Sequence, residues 1–210
     1  MSRYEWNSKY ILKTDNAELA VSLIDTKLYL SVDHNDEDAL ITLLIKSATS
    51  IFEKYTGIDV LNKTYTMYLD FFPFYKRYGN RVEENFNVYT IQVKKSKLQS
   101  INSIKYYSNN VLETLDSSKY DFTQDNFYSR IYLINDNDCF PDTDDRKQAV
   151  EIEFIAGNGD TSADIPDQIK LILLRIIAYL YVNRGDCPVC DESTLTKIVP
   201  IITQYKIIEI

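Results

Sequence analysis

The chain contains one histidine, His34, and three cysteines, Cys139, Cys187 and Cys190. Ser-His-Asp and Cys-His catalysis both need an imidazole to take the nucleophile's proton, so one residue alone could serve. His34 lies in Val32-Asp33-His34-Asn35-Asp36, ahead of a helix start, where a solvated turn residue is the expected role. Cys187-Pro188-Val189-Cys190 has the spacing of a redox pair or of half a zinc site. Zinc takes four ligands, and neither a second CxxC nor a histidine pair completes the set. The pair also lacks the strand-to-helix setting of a thioredoxin-like unit. An odd number of cysteines builds no closed disulfide framework and fits a reducing compartment.

The acidic run with Asp136, Asp138, Asp142, Asp144 and Asp145 invites a calcium reading. Phe140 and Pro141 interrupt the ligand spacing and the turn glycine of an EF-hand is missing, so a solvated loop is expected. Gly157-Asn158-Gly159 lacks the later glycine of a dinucleotide fingerprint and the Lys-Ser/Thr pair of a phosphate loop, and reads as a turn. Lys94, Lys95, Lys97 and Lys105 could form a small basic stripe, but lysines also guard sheet edges against aggregation. No catalytic residue, metal or cofactor is expected, and the chain reads as a non-enzyme.

The elements that would position these residues must come from an ordinary globular chain. Of its 210 residues 45% are hydrophobic and 26% charged, which excludes the disordered and collagenous classes. Its 17 tyrosines against 1 tryptophan fit an AT-rich genome and also supply side chains suited to interfaces. A net charge of −8 argues against a broad grip on nucleic acid, which needs clustered cations. The opening MSRYEWNSKYIL has no apolar core of signal length, and Ile169–Val182, interrupted by Lys170 and Arg175, is too short to span a bilayer. Soluble intracellular synthesis with no membrane partner is the expectation.

The periodicity predicts an α+β fold. Residues 1–20 read as a polar, irregular N-terminal arm. Helices are expected near 21–30, where Val21, Ile24 and Leu28 recur at helical spacing, and at 36–56, with Asp36 as N-cap. The second carries the stripe Leu40, Ile41, Leu44, Ile45, Ala48, Phe52 and ends at Gly57. From about 63 to 156 the period falls to two, which predicts an antiparallel β insertion with strands near 63–70, 88–93, 101–107, 111–115, 119–123, 130–134 and 149–155. Pro166 opens an apolar helix over 166–183, ended by Gly185, and Pro200 opens a short one over 200–205. The domains expected are thus a helical one from 21–60 and 157–205, a β insertion over 61–156, and a tail at 206–210.

This order of elements resembles the larger phage head–tail connector (adaptor) proteins. Leu28-Tyr29-Leu30-Ser31-Val32-Asp33-His34-Asn35-Asp36-Glu37-Asp38 through Tyr55-Thr56-Gly57 carries the first part of the resemblance. Phe140-Pro141, Ala149 through Asp160, Ile165-Pro166 and Asn183-Arg184 carry the second, and Pro200 through Tyr205-Lys206 the third, with lysine where the family often has arginine. The long arm and the CPVC motif depart from that pattern. The resemblance implies a homo-oligomeric ring, usually of twelve, that sits under the portal protein, docks a tail or stopper protein, and lets DNA pass. It implies a virion location at the head–tail interface, with assembly in the host cytoplasm. It also implies that the tail Lys206-Ile207-Ile208-Glu209-Ile210 is portal-binding, since a short apolar strand can augment another protein's sheet. The competing expectation is a small-ligand or carbohydrate-binding module that uses the tyrosine-rich β region.

Overall fold

The computed structural model describes residues 8–73, 90–95, 97–124, 129–135, 139–184, 195–197 and 199–205. It is an α+β protein of two compact units, one of residues 1–15 and 63–156, the other of 16–62 and 157–210.

The first unit is built of strands. Seven lie within the region where the two-residue period predicts strands: β2 (Lys63–Leu69), β3 (Thr90–Val93), β4 (Leu98–Ser108), β5 (Val111–Thr114), β6 (Tyr120–Thr123), β7 (Ser129–Leu133) and β8 (Val150–Ala156). Another, β1 (Lys9–Thr14), precedes them in the chain. They form a five-stranded sheet, order β1-β2-β8-β4-β5, and a three-stranded sheet, order β3-β7-β6, with all pairs antiparallel. Along β8, Val150, Ile152, Phe154 and Ala156 turn inward, where they join Met67, Ile91, Leu98, Ile104 and Ile131 in one core fed by both sheets. Glu151 and Glu153 face the other way. Register places Glu151 between Tyr68 and Lys105, and the Glu153 carboxylate accepts from Lys13 Nζ and from Asn102 Nδ2, which holds its pKa below the usual carboxylate range.

The irregular arm expected over residues 1–20 is corrected at β1, which pairs with β2 through Tyr10↔Met67 and Leu12↔Tyr65. Five of its six residues are exposed, so the strand rests on main-chain pairing rather than on a buried face. Its half-buried residue, Tyr10, stands edge-on to Phe154 at 6.3 Å, and its hydroxyl accepts the Lys94 N–H at 2.9 Å.

The second unit is helical: α1 (Leu23–Leu30), α2 (Asp38–Thr56), α3 (Asp167–Val182) and a 3-10 helix over Pro200–Tyr205. Its core joins Ile41, Ile45, Ala48 and Phe52 of α2 to Ile169, Ile172, Leu173, Ile176 and Ile177 of α3, with Ile202 from the last turn. Ser22 caps α1, its Oγ accepting the Asp25 N–H at 3.0 Å.

Asp36, expected to cap α2, lies outside that helix, and its side chain is 95% exposed. Glu37 holds the capping position without capping, because its carboxylate is taken by other partners. Gly57 ends α2 as expected, at φ 77° with its N–H on the Glu53 carbonyl. Pro166 stands one residue before α3 rather than in its first position, and its carbonyl accepts from Ile169 and Lys170. The end expected at Gly185 falls outside the described residues; α3 stops at Val182. At the predicted turn Gly157 has φ 150°, and a Cβ there would fall 2.5 Å from the Leu61 carbonyl oxygen, so the close approach requires glycine.

Candidate functional site

The residues singled out for chemistry are dispersed among structural roles. His34 is half-exposed in the turn between α1 and α2, with Nδ1 3.8 Å from the Asp36 carboxylate. Asp144 accepts the N–H groups of Asn109 and Asn110, both at 2.8 Å. Those two asparagines have φ 53° and 62°, so this carboxylate fixes the tight turn between β4 and β5. Asp142 and Asp145 stay in the loop, whereas Asp136 and Asp138 lie outside the described residues. Lys95 sits over the Tyr65 ring at 4.6 Å, so one lysine of the supposed basic stripe is engaged by an aromatic face.

Cys139 is an exposed free thiol. Cys187 and Cys190 lie outside the described residues, as does the expected portal-binding segment Lys206, Ile207, Ile208, Glu209 and Ile210. Immediately before that segment, Tyr205 packs on Phe52 at 6.2 Å and donates its hydroxyl to Gln168 at 2.6 Å. The tail therefore departs from an anchored point of the helical unit. Among the described residues no group of three or more His, Cys, Asp or Glu could hold a metal, and no helix is long and apolar enough to cross a membrane.

Among the described tyrosines of the β unit, Tyr65, Tyr106 and Tyr120 are core residues. An open depression of about 650 Å³ is lined instead by Phe71, Phe72, Phe140 and a mixed charged rim with Asp142, Asp145 and Lys147. Its floor is Phe72 stacked on Phe140 at 4.9 Å.

What remains is surface, and in the helical unit much of it is apolar. On α1, Ile24 and Leu28 are each 79% exposed and Tyr29 is exposed beside them; Thr26 is the helix's buried residue. Leu43 on α2 is exposed as well, and so are Leu171 and Val182 on α3. The sequence showed Ile24 and Leu28 at helical spacing, which tells which residues share a face but not what covers it.

A polar clamp holds the start of α2 to the end of α3. The Glu37 carboxylate accepts from the Tyr181 hydroxyl and, at 2.7 Å, from Arg184 Nη1, while the guanidinium lies 4.1 Å from the centre of the Tyr181 ring. The Tyr181 hydrogen bond, followed by that of Arg184, holds the Glu37 pKa below its usual range, and the hydrogen bond to Glu37 raises that of Tyr181. Sequence analysis did not find this cluster, since partners 144 and 147 residues apart leave no local pattern.

Among the described residues the helical unit exposes Ile24, Leu28, Leu43, Leu171 and Val182. Solved structures share the fold. A chain from the neck of an empty gene transfer agent (GTA) particle computed with C6 symmetry aligns at TM-score 0.70 and 13% identity, covering 96% of this chain and 97% of that one. One from the virion of a native gene transfer agent particle aligns at 0.71 and 14%, covering 96% of each. A third, from the neck of a native GTA particle computed with C12 symmetry, aligns at 0.64 and 13%, covering 96% and 97%. No curated protein matches in sequence. The sequence model of phage gp6-like head-tail connector proteins matches residues 20–126, just over half of the chain, through α1, α2 and the β unit as far as β6. With that match the resemblance first read from the leucine-to-glycine block around α2 becomes a finding: the chain belongs to the phage gp6-like head–tail connector family.

Proposed function

We propose that this connector is a ring subunit of a tailed phage or phage-like particle, seated under the portal and joining the DNA-filled head to the tail without an enzymatic role. The observation that carries the reading is the set of apolar side chains left exposed on three helices of one unit, Ile24, Leu28, Leu43, Leu171 and Val182. Large apolar surface on helix faces belongs to proteins that pack against neighbours, and homo-oligomers most often close by symmetry. Neck chains of the same fold come from particles computed with sixfold and twelvefold symmetry, which supports a ring and a place in the virion, with twelve copies as the working number. The net charge of −8 suits a ring through which DNA passes without being held, because like charges disfavour sticking. Assembly takes place in the host cytoplasm, and the opposite side of the ring receives a tail or stopper protein.

The tail Lys206–Ile210 is the portal-binding segment in this reading, leaving the helical unit after the anchored Tyr205 and adding a strand to a portal sheet. Electron microscopy of the purified protein, alone and with portal, tests the ring: closed rings on the portal are expected, and a persistent monomer that ignores portal overturns the proposal. Truncation after Tyr205 is expected to leave the fold intact and remove most portal binding. Undiminished binding by the truncated protein would place the contact elsewhere.

A further inference from the structure

We infer that α1 of one copy packs on α3 of the next copy, with Asp25 facing Arg175; the inference rests on the ring reading above and names the faces that meet. The α1 helix has only eight residues, and helices that short are marginal in water without tertiary packing. Yet it turns Ile24 and Leu28, one turn apart, and Tyr29 to solvent. Its exposed arc is acidic: Asp25 lies within it, and the following turn adds exposed Asp33 and Asp36. The helix's own cation, Lys27, is turned away, its Nζ 2.7 Å from both Asn35 Oδ1 and Asp38 Oδ1. The patch is therefore apolar with negative charge and no available cation of its own.

The outer stripe of α3 has the complementary composition. Leu171, Arg175 and Val182 fall at positions i, i+4 and i+11 of one helix face, all exposed, with half-buried Ala178 between them. Among the described residues Arg175 makes no hydrogen bond or ion pair, and the helix's other cation, Lys170, lies 3.8 Å from Asp167. Pairing α1 with α1 would bring Asp25 towards Asp25, and pairing α3 with α3 would bring Arg175 towards Arg175; like charges disfavour both. Pairing α1 with α3 sets opposite charges among aliphatic neighbours. Because the two patches differ, each copy offers one and receives the other, the heterologous contact that closes into a ring when its rotation permits.

The test is sedimentation velocity on the full-length protein, with circular dichroism to verify folding. Leu28→Asp, Asp25→Lys and Arg175→Glu are each expected to raise the concentration needed for assembly by about tenfold or more. The double charge swap Asp25→Lys/Arg175→Glu is expected to recover assembly to within about threefold of wild type, a rescue that lost packing alone would not give. A Leu28→Asp protein that assembles like wild type, or a swap no better than its parents combined, overturns the α1–α3 contact while leaving a ring built on other faces. Wild type that stays monomeric, alone and with portal, overturns the ring reading and this contact together.

Discussion

In the β unit, side chains from both sheets converge on one core, and among the described residues most exposed aliphatics sit on the outermost strands, Ile11 and Leu12 on β1 and Val111 and Leu112 on β5, with Ile134 just past β7. In the helical unit the exposed aliphatics lie on helices, at Ile24, Leu28, Leu43 and Leu171, at Val182 where α3 ends, and at Ile201 in the last 3-10 turn, beside a packed interior. An edge strand exposes apolar residues because its outer side has no neighbour strand. A helix can turn a whole stripe away from water, so an uncovered stripe asks for another protein. Under the ring proposed above, the contrast gives cohesion to one unit and association to the other.

The strongest way to break it is through the β core. Phe154 on β8 is fully buried, stacked on Tyr65 at 5.8 Å, and has Tyr10 edge-on from β1. Phe154→Ala is expected to cost about 3–5 kcal/mol, because the cavity adds to the lost transfer energy. Urea denaturation measures it, and a loss below about 1 kcal/mol would mean the two sheets do not share a tight core.

A smaller effect is expected at the clamp of the helical unit. Glu37 has its pKa lowered by the Tyr181 hydrogen bond and then by Arg184. A depressed carboxylate stabilises the fold above its unfolded pKa, and that contribution is lost as pH falls through the folded value. Thermal melts of wild type should therefore fall on the acid side, through and below the ordinary glutamate range, and Glu37→Gln should flatten that part of the profile. An unchanged acid limb would show that the clamp adds nothing to stability.

The smallest change sharpens the comparison from the other side. Val111→Thr with Leu112→Thr alters only exposed positions of the β4–β5 hairpin, so stability should stay within about 0.5 kcal/mol of wild type. Ring assembly should also be unaffected. Loss of assembly, read by sedimentation, would move association into the β unit and erase the distinction.

Much of this fold was legible because its elements are strongly periodic. The strands from β2 to β8 fall within three residues of their predicted ends, since Val150, Ile152 and Phe154 on β8 and Tyr65, Met67 and Leu69 on β2 alternate as a half-buried surface requires. Strand β1 escaped notice for the opposite reason, being an edge strand held by main-chain bonds with one half-buried side chain. The start of α2 was misplaced by two residues because Asp36 is a good cap by type, whereas the carboxylate at the capping position is committed to Tyr181 and Arg184. The surface was least legible. Periodicity treated Ile24 of α1 and Ile41 of α2 alike, although the first is 79% exposed and the second fully buried.

At the two ends of the segment 63–156, Lys63 of β2 and Ala156 of β8 are register partners. Neighbouring strands lie about 4.8 Å apart, so a segment of more than ninety residues leaves and returns at nearly one place. Such a segment is a cassette in the engineering sense. It could be exchanged for one of another length, with only a tight turn needed to splice residue 62 to residue 157, provided the N-terminal strand that pairs with β2 is exchanged along with it.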